Sequence, residues 1–208
     1  MKHLVFLILI SFSNALFAAD LVVEEFGLPP AYSSIQSAIN AATSGDRILI
    51  KNRAGAVPWL EDLTINKSIE LLSFDNDASF IVQGNVTITP VNGITVTIVG
   101  MNNLVGSILR SSSTGTSRGT IVNIMDCQLN GAVDLDADPF VANFVANTMS
   151  GSFLHLMHGK VIGNEFDQSN VVVYNAPSSY NTEDMLIIGN KIADNTIPLY
   201  VYSATYNL

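Results

Sequence analysis

The chain has 208 residues, with 18 acidic against 9 basic side chains and a formal net charge of −9 at pH 7. This charge excludes a basic nucleic-acid-binding protein and argues against anionic membranes as partners. With 48% hydrophobic and 13% charged residues, the composition suits one soluble domain with a buried core, but it names no reaction.

Residues 1–19 have the pattern of a secretory signal peptide, with a basic start, an apolar stretch over residues 4–12 and small residues up to Ala19. The apolar stretch is about half of the roughly 20 residues that span a bilayer, which favours cleavage after Ala18 or Ala19 over a retained anchor. We therefore expect a secreted or cell-surface protein, extracellular or periplasmic, without membrane insertion after cleavage. Its one cysteine, Cys127, leaves stability to core burial rather than to disulfides.

Residues 20–45 are predicted to form an N-terminal cap that contains an amphipathic helix. Ser33 and Gln36 fit a capping box at its start, and Gly45 is placed to stop it. The apolar stripe at helical spacing consists of Ile35, Ala38, Ile39 and Ala42.

From residue 46 to residue 208 the apolar period changes to two, which predicts short strands separated by Gly, Asn, Asp and Ser. Four segments align when Cys127, Asn147, Asn164 and Asn190 are superposed, at intervals of 20, 17 and 26 residues. Such repetition indicates a coil-by-coil solenoid, in which an Asn at a corner can bond to the Asn of the next coil. Cys127 at this corner is interpreted as a buried small residue rather than a reactive thiol.

Residues 30–208 resemble a known family in two places. The opening is YSSIQSAINAATSGDRILIKN followed by EDLTINKSIELLS, and the later units are VIGNEFDQSNVVV and IIGNKIADNTIPLYV. These segments are similar to the cap and coils of the pectin-lyase-like superfamily. The resemblance implies an all-β, right-handed, single-stranded parallel β-helix with an N-terminal capping α-helix. It also implies work on carbohydrates, since relatives include polysaccharide lyases, hydrolases, adhesins and passenger domains.

The repeat register places two columns of outward side chains on one face, with neighbours about 4.8 Å apart. The first column is predicted to hold Asp134, His155, Val172 and Pro198, and the second Asp136, Met157, Tyr174 and Tyr200.

Asp134, Asp136 and His155 would then converge, which suits acid–base chemistry, substrate binding or a bound cation. The alternating carboxylates of Asp134, Asp136 and Asp138 would suit a hard cation such as Ca²⁺. The alternative is an ordinary solvated strand face. No resident cofactor or metal is expected, because the segment fails the EF-hand pattern at Pro139 and Val145.

Met157, Tyr174 and Tyr200 would form a flat apolar strip on which a sugar ring can rest. The alternative is that the segment 176–182 covers this strip.

No complete catalytic set of the resembled superfamily is present, so the catalytic residues stay unknown. There is no adjacent Asp pair, and no arginine lies close to the acidic strand in sequence. The arginines are Arg47, Arg53, Arg110 and Arg118.

The last residues, 196–208, still follow the coil pattern, and we expect further chain or a partner to cover this coil. The sequence favours a non-catalytic, adhesin- or envelope-type protein that presents a binding face to a polysaccharide or cell-surface glycan. The alternatives are a lyase or hydrolase for an acidic polysaccharide and a structural spacer.

Overall fold

A computed structural model describes residues 18–75, 79–111, 119–137, 140–175, 185–193 and 199–203. Within these residues the chain winds as a right-handed parallel β-solenoid of about seven turns. Each strand pairs in parallel with the strands one coil before and one coil after it, which builds three sheets. The predicted fold class is confirmed, whereas most of the predicted signal peptide lies outside the described residues.

We name the sheets A, B and C in the order in which a complete coil visits them. Sheet A contains Asp20–Val23, Asp46–Ile50, Ile69–Ser73, Thr95–Val99, Thr120–Met125, Phe140–Val145, Gly159–Ile162 and Leu186–Ile188. Sheet B contains Phe80–Val82, Met101–Asn103, Gln128–Leu129, Thr148–Ser150, Glu165–Asp167 and Lys191–Ala193. Sheet C contains Leu63–Ile65, Val86–Ile88, Ile108–Arg110, Val133–Leu135, Phe153–Leu156, Asn170–Asn175 and Leu199–Ser203.

One α-helix, Ile35–Ala41, is present in the described part of the chain, and it packs against the first strands of sheets A and C. Its N-cap is Ser34, so the predicted capping box of Ser33 and Gln36 is wrong. The carboxylate of Glu61, from the next coil, accepts hydrogen bonds from the first backbone N–H groups of the helix at 2.9 and 3.0 Å. This distant carboxylate satisfies N–H groups of the first turn that a capping box would leave without a partner.

The predicted helix stop is also wrong, because the helix ends before Ala42, which is extended. Gly45 instead adopts a φ of 102° in the turn that leads into sheet A. No helix among the described residues is both long enough and apolar enough to cross a bilayer.

Alternate side chains of every sheet point into one continuous core. Four phenylalanine side chains are fully buried in this core: Phe80, Phe140, Phe144 and Phe166. The rings of Phe144 and Phe166 stack with their centroids 6.0 Å apart. In sheet C the inward column includes Val133, Leu154 and Val171, all buried. Because inward and outward residues alternate, the residues between these inward positions must face outward.

A hydrogen-bonded ladder runs along the corner between sheets A and B. The Asn147 amide Nδ2 donates to Asn164 Oδ1 at 3.0 Å, and the Asn164 Nδ2 donates to Asn190 Oδ1 at 2.9 Å. Cys127 starts the ladder: its backbone N–H donates to Asn147 Oδ1 at 2.9 Å. Burial raises the pKa of the Cys127 thiol to about 12, so this thiol stays protonated at neutral pH.

Candidate functional site

One outward column runs the length of sheet C through residues paired from coil to coil. Its members are Thr64, Thr87, Leu109, Asp134, His155, Val172 and Tyr200. Most of these side chains are neutral, and the charged member Asp134 pairs directly with His155. The charged side chain of this column therefore lies beside His155, near the middle of the described coils.

Asp134, Asp136 and His155 converge as predicted on the outer face of sheet C. Each offers one carboxylate oxygen or imidazole nitrogen, and these three atoms lie within 4.8 Å of one another. All three residues are half-buried. This arrangement follows from the pleat, because Asp134 and Asp136 are two residues apart on one face and His155 is the next coil's partner of Asp134.

Two further side chains complete the cluster. Arg110 Nε donates to Asp136 Oδ1 at 3.1 Å in a partly exposed ion pair. The ring of Phe153 lies against that of His155, with centroids 4.3 Å apart and planes inclined by 34°. Phe153 is 36% exposed, so part of this ring pair faces solvent.

The electrostatics of the cluster raise the pKa of Asp136. Burial raises the pKa of Asp136, and the hydrogen bond with Asp134 and the negative charge of Asp134 raise it further, against the opposing charge of Arg110. The pKa of Asp136 is consequently above its ordinary value of 3.8. Two carboxyl groups that hydrogen-bond each other in this way share a proton more readily than they carry two charges.

We expect Asp134→Asn to stabilise the protein at pH 7. The pKa of Asp136 is higher in the folded protein than in the unfolded chain. The wild-type free energy of unfolding therefore falls as the pH rises from the unfolded-state pKa towards the folded-state pKa. The amide keeps a polar partner for Asp136 but removes the repulsion, and the free energy of unfolding should rise by up to about 1 kcal/mol, because solvent screens this half-buried pair.

Urea denaturation at pH 7 and at about pH 3 measures this difference, which should vanish at the lower pH, where Asp136 is protonated in both proteins. Asp75→Asn removes the same charge at an exposed position and serves as the control. A loss of stability in Asp134→Asn at pH 7 would contradict the repulsion.

The donor set of the cluster bears on the Ca²⁺ prediction. Ca²⁺ takes six to eight oxygen ligands, whereas the described cluster offers two carboxylates and an imidazole. Asp138, the third carboxylate of that prediction, lies outside the described residues. A mixed nitrogen and oxygen set of this kind suits a transition metal such as Zn²⁺ better. Asp134, Asp136 and His155 are the side chains that would hold such an ion.

The predicted strip of Met157, Tyr174 and Tyr200 is not a single column, and the register behind it is wrong. Val172 pairs with Tyr200, which puts Tyr200 in the column of His155, while the backbone of Tyr174 pairs with that of Tyr202. The last coil takes nine residues from its corner Asn to sheet C instead of seven, and this shifts the pairing by two.

The structure describes only some of the other residues named in that prediction. Met157 is half-buried just after the strand Phe153–Leu156, and Tyr200 is 40% exposed. The side chain of Tyr174, the segment 176–182 and Pro198 lie outside the described residues.

Arg110 and Phe153 are the two site residues that sequence reasoning missed. Arg110 lies 26 residues before Asp136, which is about the length of one coil. The two residues are distant in sequence, but a count by coil length would have predicted the contact. Phe153 lies two residues before His155 on the same strand, and simple alternation already places both on one face.

The fold and this cluster define a class, a parallel β-solenoid with a polar and aromatic centre on one sheet. No family model, curated protein or solved structure matches the chain.

Proposed function

We propose that this chain is an exported, non-catalytic β-helix of the pectin-lyase-like superfamily that binds a glycan on the outer face of sheet C. The observation that carries the proposal is the convergence of Asp134, Asp136 and His155 beside the exposed ring of Phe153. The adhesin or envelope role proposed with it depends on the predicted signal peptide.

The chemistry of the cluster suits a sugar. The exposed part of the Phe153 and His155 ring pair offers an apolar platform for the face of a pyranose. Carboxylate oxygens of Asp134 and Asp136 accept hydrogen bonds from sugar hydroxyls, and Arg110 holds Asp136 in place. Because two acidic side chains line the site and the chain has a net charge of −9, a neutral, hydroxyl-rich glycan fits better than an acidic one.

Binding to soluble polysaccharides tests the proposal. Xylan, galactan and dextran represent neutral glycans, polygalacturonate and alginate represent acidic ones, and EDTA removes bridging cations. We expect Phe153→Ala and Asp136→Asn each to weaken binding to a neutral glycan at least about tenfold, which corresponds to about 1.4 kcal/mol. Thr64→Ala, in the same column but three coils from Asp134, should bind like wild type.

Binding that Phe153→Ala and Asp136→Asn leave unchanged would locate the glycan site elsewhere. Absence of binding to all these polysaccharides would favour the structural spacer instead.

The raised pKa of Asp136 is the observation that favours a second candidate, a polysaccharide hydrolase or lyase. A carboxyl group with a raised pKa keeps its proton to a higher pH than an ordinary Asp, which is the property that a general acid needs. A hydrolase also needs a second carboxylate across the scissile bond, whereas Asp134 lies on the same strand face as Asp136 and hydrogen-bonds to it. Assays for new reducing ends and for unsaturated products separate the candidates, and we expect binding without turnover.

A further inference from the structure

An apolar ladder follows the outer face of sheet A, away from the proposed glycan site. Its members are Val22, Leu49, Leu72, Val99, Met125, Val145, Ile162 and Ile188, one from each strand of sheet A in the described chain. None of them is buried, and Ile188 is 54% exposed. A continuous outward stripe of this kind on a solenoid face marks an interaction surface.

A second outward column lies beside the apolar ladder and carries charges in a particular order. Glu70 lies two coils before Asn123, and Lys160 lies two coils after it. Neither Glu70 nor Lys160 lies within ion-pair distance of an opposite charge among the described residues, although Glu70 lies one coil after Arg47, which is paired with Asp20. Between Glu70 and Lys160 the column is therefore self-complementary about Asn123, because a copy rotated by 180° about that point would place Lys160 opposite Glu70 and Glu70 opposite Lys160. The Asp20–Arg47 ion pair, at the start of the column, lies outside this segment.

We propose that sheet A is a dimer interface, in which two copies pack their sheet-A faces with antiparallel coil axes and a two-fold axis at Asn123. This axis runs parallel to the strands, so each column of one copy faces the same column of the other. Glu70 of each copy then meets Lys160 of the second copy. In the apolar ladder, Met125 meets Met125, and Leu72 meets Ile162.

The shape of the face agrees with this pairing. A cleft of about 580 Å³ lies over the early part of the ladder, and its mixed lining includes Leu49, Leu72, Val99 and Phe74 together with Arg47, Asp126 and Gln128. In the antiparallel arrangement this cleft receives the late part of the ladder of the second copy, which includes the exposed Ile188. The early strands of sheet A in one copy, which carry the cleft, thus contact the late strands of sheet A in the other copy.

The available area suits a weak, reversible dimer. Seven of the eight strands overlap in this arrangement, which gives a face about 29 Å long at a spacing of about 4.8 Å, and about 17 Å wide where strands have five or six residues. Two such faces would bury at most roughly 1,000 Å² in total, the size of transient rather than permanent interfaces. Because sheet C stays uncovered, the dimer would present two glycan sites and gain avidity, although the interface does not depend on the proposed function.

Charge reversal in the full chain tests the proposal. By light scattering and sedimentation at about 100 μM, we expect wild type to be a dimer. Glu70→Lys and Lys160→Glu should each weaken dimerisation at least about tenfold, and the double variant should restore it, because the ion pairs reform with reversed sign. Thermal melts at low concentration show whether each variant folds.

Met125→Glu places a charge directly against its own copy on the axis and should produce a monomer. Val105→Glu adds the same charge at an apolar position that is 63% exposed outside sheet A, and it should stay dimeric. A monomeric wild type, a dimer that survives Met125→Glu, or a double reversal that fails to restore the dimer would each overturn the proposal.

Discussion

Asn164→Ala is expected to lower the free energy of unfolding by about 3–5 kcal/mol, because it removes the middle of a buried amide ladder. The Asn164 Oδ1 accepts from the backbone N–H of Asn147 at 2.8 Å, and its Nδ2 donates to the Phe144 carbonyl at 2.9 Å. Truncation leaves both backbone groups without these partners in a corner from which water is excluded. The side chain also connects Asn147 to Asn190, so two coils lose their link at once.

Urea denaturation followed by circular dichroism measures this loss. Asn170→Ala is the matched control, since the same side chain is removed from an exposed position of sheet C. We expect it to change stability by less than about 0.5 kcal/mol. Equal effects of the two substitutions would show that the ladder contributes nothing beyond the loss of an amide.

Gly131→Ala is expected to prevent normal folding or to cost at least about 3 kcal/mol, because another backbone occupies the space of the added methyl group. A Cβ atom at Gly131 would lie 1.6 Å from the carbonyl oxygen of Gly106 in the preceding coil. A Cβ atom at Gly106 would likewise lie 2.0 Å from the carbonyl oxygen of Gly84. Both contacts are with backbone atoms rather than with a flexible side chain that can move away. The added methyl group would therefore force neighbouring coils apart.

The yield of soluble protein and its melting temperature report the effect. Gly151→Ala is the control, because Gly151 has a positive φ of 66° but no atom within 4 Å of the added methyl group. It should cost only about 1–2 kcal/mol, the penalty of a left-handed conformation. A Gly131→Ala protein as stable as Gly151→Ala would contradict the close approach of the coils.

Much of the solenoid could be predicted from local pattern. The period of two indicated which residues of sheet C point inward, and the recurring Asn indicated a shared corner. Asp134 and His155 were correctly expected to be neighbours, because their coils have nearly the same length between corner and strand. The polar centre of the candidate site was therefore accessible to sequence reasoning, unlike the ion pair of Asp136 with Arg110.

The limit of that reasoning is visible at Tyr200. A connection longer by two residues keeps Tyr200 on the outer face, since side chains alternate with a period of two, but it moves Tyr200 into a different column. The helix start shows the same limit, because its acceptor, Glu61, lies in the next coil rather than in the helix.

The amino-acid sequence by itself determined that the chain coils and which side chains fill its interior, because inward alternation and a repeated corner are local properties of each strand. Only the tertiary structure decided which outer side chains touch. Those contacts depend on where each strand stops against the one below it, and the lengths of the intervening connections set that position without leaving a periodic signal in the residues themselves.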